Sequence, residues 1–148
     1  MNEIKKILVP VDFSENSKKI LQSAIMLAGK FKAHLSVVFV VQSFDDYSGF
    51  FVPHIPIAQF EEEMVQAAQQ KMTSFLAENM DKAQPHDAKV LRGDVADEIL
   101  RLVEEGRFDL IVMGTHGYKG LEKVLFGSVA EKVVKWASCP VLTINPYR

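Results

Sequence analysis

Cysteine is all but missing from this 148-residue chain: Cys139 is the single one. A lone thiol excludes an internal disulfide and a dithiol redox pair, and its place before Pro140, at the entry to an apolar run, suits a small buried hydrophobe. No stretch approaches the roughly 18 apolar residues of a membrane span. The run near the start, Ile7-Leu8-Val9, is cut by Pro10 and Asp12 and is too short for the core of a signal peptide, so the chain is expected to stay in the cytoplasm. Charge excess is also small. The formal net charge is −2 and no more than two basic residues are adjacent, so neither nucleic acid nor membrane insertion is expected. The four histidines, His34, His54, His86 and His116, do not fall at metal-ligand spacing. Neither a Gly-x-x-x-x-Gly-Lys-Ser/Thr loop nor a Gly-x-Gly-x-x-Gly turn occurs.

What the chain does have is an ordinary globular composition, 48% apolar and 24% charged, in a length that suits one domain over residues 1–148. One stretch organises the rest: Gly114-Thr115-His116-Gly117, then Gly120, then Gly127-Ser128. It follows the β-branched run 108–113 and precedes a helix-like stretch from Val129 to Ser138, and so reads as strand, glycine-punctuated loop, helix. Such a loop either exposes backbone N–H groups to an anion, with the helix beyond adding its first N–H groups and its dipole, or is a plain glycine-rich connection. Ser128 is a preferred N-cap, so its hydroxyl either caps the helix or donates to a phosphate oxygen.

Ile4 to Val11 reads as a short strand, and Ser14 as the N-cap of an amphipathic helix from Glu15 to Phe31. His34 to Val41 is nearly continuous β-former, the pattern of a strand covered on both faces. Gln42 to Ala58 carries Phe44, Tyr47, Phe50 and Phe51 among prolines and acids, and reads as a segment packed on the domain or on a partner subunit, or serving as a lid. A long helix follows from Gln59 to Lys82, with Glu61, Glu62 and Glu63 in its first turns and Phe60, Met64, Ala67, Ala68, Phe75 and Leu76 at core spacing. Next come a strand over 88–92, a helix capped by Asp94 and ended by Gly106, the strand 108–113, the glycine loop, a helix with Val129, Ala130, Val133, Val134 and Ala137 inward, and a last strand over Val141–Ile144.

This alternation demands a parallel sheet with helices on both faces, because each crossover is helical and right-handed. Ligands of such sheets bind beyond the carboxyl ends of the strands where strand order reverses. Asp12 leaves the first strand and Gly114 the fourth. If those strands are neighbours, the carboxylate of Asp12 can accept from ribose hydroxyls or a purine amine while the loop takes phosphates; the plainer alternative is that Asp12 only caps the first helix.

The spacing Gly114-x2-Gly117-x9-Gly127-Ser128 resembles the nucleotide-binding signature of the universal stress protein family. The start, Ile7-Leu8-Val9-Pro10-Val11-Asp12-Phe13-Ser14, resembles that family's first strand and turn, and Cys139 to Ile144 its ending. The resemblance covers essentially the whole chain. It implies an open, doubly wound five-stranded sheet of order 3-2-1-4-5 and an ATP-binding, nucleotide-dependent stress-response module. It implies Pro10, Val11 and Asp12 beside base and ribose, Val40 as an apolar wall for adenine, Met113, Gly114, His116 and Gly117 along the ribose and phosphates, and Gly127, Ser128 and Val129 around the phosphates. Family members that bind ATP have the signature glycines and the Ser/Thr, as here. A divalent ion, Mg2+ or Mn2+, is expected to be held through the phosphates, since no carboxylate cluster offers a cage. A homodimer through Val141–Ile144 is also implied, and it would cover an apolar sheet edge.

Two other classes have weaker support. A slow ATPase or nucleotidyl-transfer enzyme of the same fold would need a catalytic constellation, and His116 shows no partner carboxylate in the sequence. A phosphoacceptor domain would need an acidic pair after the first strand, where Asp12 stands alone.

Overall fold

The computed structural model describes residues 3–43, 57–115 and 127–148. Among them, strands and helices alternate strictly: β1 (Lys6–Pro10), α1 (Glu15–Phe31), β2 (His34–Gln42), α2 (Ile57–Asn79), β3 (His86–Gly93), α3 (Val95–Gly106), β4 (Leu110–Gly114), α4 (Gly127–Trp136) and β5 (Val141–Ile144). The strands pair in parallel in the order β3-β2-β1-β4-β5, so the order reverses between β1 and β4 as expected.

The period-two alternation of each strand splits the core by face. Ile7, Val9, Leu35, Val37, Leu110 and Val112 pack with Ile20, Leu21 and Ala24 of α1 and with Met72 and Phe75 of α2. Leu8, Val38, Val40, Ile111 and Met113 pack with Ile99 and Val103 of α3 and with Ala130 and Val133 of α4. Strands covered on both sides have no solvent face to make polar, which is why β2 and β4 read as nearly continuous apolar runs. Ser14 caps α1 by accepting from the Ser17 N–H, and Asp94 caps α3 by accepting from the Asp97 N–H.

Several expected boundaries and faces differ. The long helix runs over Ile57–Asn79 rather than 59–82. Its end is set by a turn in which Asp81 accepts from the N–H groups of Ala83 and Gln84, through its carboxylate and carbonyl respectively. Glu61 to Glu63 consequently lie past the first turn, beyond the reach of the unpaired N–H groups that would favour acids. Glu61 is instead buried and accepts from the Ser43 hydroxyl at 3.2 Å. Phe60 and Ala67 are exposed, and Ala68, Met72 and Phe75 form the inner stripe. Val134 and Phe31, expected inward, are exposed as well. The strand expected over 88–92 extends to His86–Gly93, because every residue of that span registers with β2. The segment 44–56, with its aromatics, lies outside the described residues.

Candidate functional site

β1 and β2 stay paired from Lys6↔His34 to Pro10↔Val38, and the Val11 N–H adds one further bond to the Val38 carbonyl at 2.9 Å. On the other side β1 pairs with β4 only at Ile7↔Leu110 and Leu8↔Ile111. Proline explains the difference. The Asp109 N–H donates to the Lys6 carbonyl, so even-numbered residues of β1 turn their backbone groups toward β4 and odd-numbered ones toward β2. Pro10 has no N–H to continue the ladder to β4, and the sheet is left unpaired there, at the point where strand order reverses.

Because β2, β1 and β4 are adjacent and parallel, Val40 near the end of β2, Asp12 beyond the end of β1 and Thr115 beyond the end of β4 all belong to the same carboxyl edge. The 2-1-4 strand order thereby brings together residues more than a hundred positions apart. Pro10 and Val11, just before Asp12, are buried. Val40 and Met113 belong to one apolar cluster, with Val129 of α4 packed against it, so three of the expected residues from β2, β4 and α4 share a wall. Gly114 is the buried last residue of β4, opposite Ile144, and the chain leaves the sheet at Thr115, whose N–H donates to the Ile144 carbonyl at 3.0 Å.

Asp12 is half-buried, and its carboxylate is oriented locally. Its Oδ1 accepts from the Ser14 N–H at 3.0 Å, from the Ser14 hydroxyl, and from the Ser17 hydroxyl at 2.6 Å. The Ser17 hydroxyl in turn accepts from the Asp12 N–H at 2.8 Å. This closed ring ties the β1 exit to the first turn of α1: one oxygen of Asp12 organises the helix start, and the residue stands at the carboxyl edge of the sheet. Ser14 and Ser17 did not stand out as site residues in the sequence; the Asp-x-Ser spacing of an Asx-turn was the available signal.

Ser128 was expected as an N-cap, and here the structure differs. The helix already includes Gly127, so Ser128 is its second residue and is exposed. In a right-handed α/β unit, α4 returns antiparallel to β4, which puts its first residues, Gly127, Ser128 and Val129, at the carboxyl edge. His116 and Gly117 lie outside the described residues. Among the described residues, no group of three or more His, Cys, Asp or Glu side chains gathers to hold a metal.

Asp87 and Cys139 lie at the opposite edge, at the start of β3 and before β5. His34 and Asp87 pair across the opposite ends of β2 and β3, with Nε2 and Oδ1 2.8 Å apart and the Ser36 hydroxyl donating to the same oxygen. Burial pushes the Asp87 carboxyl up, but these two hydrogen bonds and the charges of His34 and Lys89 outweigh it, and its pKa lies below the ordinary value. Burial and the Asp109 charge push the Cys139 thiol up, which suits an unreactive, partly buried side chain.

Comparison with known proteins gives the arrangement its relatives. A family model described as the universal stress protein family matches residues 3–145. A universal stress protein of Methanocaldococcus jannaschii is 37% identical over 97% of this chain and 84% of its own length. The solved structure of a second M. jannaschii protein of that family superposes with a TM-score of 0.77 at 27% identity, covering 97% of each chain. More distant in sequence are universal stress proteins from Archaeoglobus fulgidus in complex with dAMP (TM-score 0.68, 20% identity) and from Arabidopsis thaliana with AMP bound (0.61, 22%), and one in complex with cAMP (0.62, 20%). These match the fold over 95% or more of this chain. With its sheet order, its two strand exits and nearly its whole length accounted for by one family, the chain belongs to the universal stress protein family.

Proposed function

We propose that this protein binds an adenine nucleotide, ATP, in the crevice beyond β1 and β4, and acts as a nucleotide-dependent stress-response module rather than by turnover. One observation carries the reading: a carboxylate, an apolar wall and a helix start converge on the one edge where the sheet's order reverses. The parts suit the parts of the ligand. Asp12 accepts from the ribose hydroxyls, Val40, Val11 and Pro10 face the base, and Met113, Gly114, His116 and Gly117 run along the ribose and phosphates. The N–H groups of Gly127, Ser128 and Val129, with the Ser128 hydroxyl, take the phosphates. Adenine nucleotides bound to three relatives of the same fold support the ligand class.

Mg2+ or Mn2+ enters this reading only through the phosphate oxygens, since hard cations take oxygen ligands and the nucleotide supplies them. A homodimer through β5 belongs to the same proposal. Leu142 on that edge strand is 40% exposed and Trp136 of α4 is 65% exposed, an apolar surface that a second copy would cover. No helix among the described residues is long and apolar enough to cross a membrane, and a cytoplasmic location completes the proposal. Isothermal titration of the purified, nucleotide-free protein with ATP tests the reading: saturable one-to-one binding per chain supports it, and an absence of binding heat at millimolar ATP across several temperatures overturns it.

A further inference from the structure

Three described non-glycine residues have positive φ. Two of them, Lys32 (φ 55°) and Arg107 (φ 53°), are the C-caps of α1 and α3, where a left-handed residue is the usual way to end a helix. The third, Phe13 (φ 66°), has no such reason. It lies in a strand-to-helix turn, between Asp12 and the N-cap Ser14, where glycine would adopt this backbone without a steric penalty and a bulky side chain is strained. Strain of this kind persists only where the surroundings over-determine it.

The surroundings are aromatic. The Phe13 ring lies 4.6 Å, centroid to centroid, from Phe39 of β2 with the planes tilted by 31°, and 5.7 Å edge-on from Phe75 of α2. Both distances fall in the range of favourable ring pairs. Phe39 is the residue before Val40, so the same stretch of β2 supplies the ring's partner and the apolar wall. The left-handed turn has a local product. It folds the Ser14 N–H back onto Asp12 Oδ1 and brings the Ser17 hydroxyl to the same oxygen, fixing the direction of the carboxylate.

We propose that Phe13 is a positioning residue for nucleotide recognition: its ring, held between Phe39 and Phe75, keeps the turn left-handed and thereby aims the Asp12 carboxylate at the ribose hydroxyls. The residue acts through Asp12 and does not touch the ligand. This deepens, and rests on, the assignment of Asp12 to the ribose.

The test is the preference for ATP over 2′,3′-dideoxy-ATP, measured by isothermal titration, because a merely structural residue would change both affinities together. The wild-type chain should prefer ATP about tenfold or more, the contribution of hydrogen bonds to a charged acceptor. Phe13→Gly, which permits the backbone but removes the ring, should bring the preference to within about twofold while affinity for the dideoxy nucleotide changes by less than about threefold. Phe13→Tyr should keep the preference, and adding Asp12→Ala to Phe13→Gly should erode it no further. A Phe13→Gly protein that keeps the wild-type preference overturns the proposal. Should that variant fail to fold, Phe39→Ala decides: loss of preference supports the proposal, and its retention overturns it. A wild-type protein that binds ATP without discriminating refutes the role of Asp12 and this inference with it, whereas one that binds neither nucleotide refutes the nucleotide reading as a whole.

Discussion

Replacing Asp12 separates its two roles, because they predict different pairs of numbers. In the folded chain its Oδ1 collects the Ser14 N–H and the hydroxyls of Ser14 and Ser17, and Ser17 is buried. Asp12→Ala removes that acceptor. The loss is comparable to deleting a helix cap, about 1–2 kcal/mol, which for a domain of this size lowers Tm by a few degrees. If the carboxylate also accepts from a ribose hydroxyl, the charge-assisted bond adds about 1.5–3 kcal/mol to binding, so the variant should bind ATP about 10- to 150-fold more weakly. Asp12→Asn keeps an acceptor for the turn but not the charge. It should recover most of the stability and only part of the affinity. Urea unfolding and isothermal titration on the same preparations give both quantities. An Asp12→Ala protein destabilised as expected yet binding ATP like the wild type would refute the functional role and leave Asp12 as a helix-start residue alone.

Other outcomes follow from the same structure. Ser128→Ala should weaken ATP binding severalfold while leaving adenosine affinity unchanged, a comparison that isolates the phosphates and is read by competition titration; equal losses for both ligands would contradict the assignment. Leu142→Asp, on the exposed edge strand, should leave the fold intact by circular dichroism and convert a dimer to monomers in sedimentation velocity; a wild-type chain that is already monomeric at tens of micromolar would refute the dimer. The Asp87 carboxyl has a depressed pKa in the folded chain, so its stabilising contribution is present above the unfolded value of about 3.9 and is lost as pH falls through the folded one. Asp87→Asn should therefore flatten the acid limb of a stability–pH profile below about pH 4, by no more than about 1 kcal/mol because both partners of the pair are 41% exposed.

The architecture was legible wherever a residue pattern has one structural cause. β2 and β4 are nearly continuous apolar runs because both of their faces are covered, and strict strand–helix alternation admits few topologies. Ser14 and Asp94 cap their helices as their side chains suggested. The sequence was silent where tertiary packing overrides local preference. Glu61 sits buried against Ser43, and Gln84 is buried with its amide donating to the Ala33 and Pro85 carbonyls, tying the α2–β3 connection to the α1–β2 connection. Neither residue type announces burial. The exposure of Val134 and Phe60 is equally invisible to helical periodicity, which finds a stripe but not its width. At the site, the convergence of the β1 and β4 exits was readable from topology. The left-handed backbone of Phe13 was not, since that conformation is ordinarily signalled by glycine or asparagine. Pro10 stood inside the strand expected over Ile4 to Val11; its effect, withholding the donor that would pair β1 with β4, needed the register.

The most direct test of the central claim is a backbone amide NMR titration of the nucleotide-free protein with ATP. A crevice at the sheet's reversal predicts saturable shifts at Val11, Asp12, Val40, Thr115, Ser128 and Val129, with His34, Asp87 and Arg107 at the opposite edge unmoved. Shifts confined to other surfaces, or none at saturating nucleotide, would contradict it.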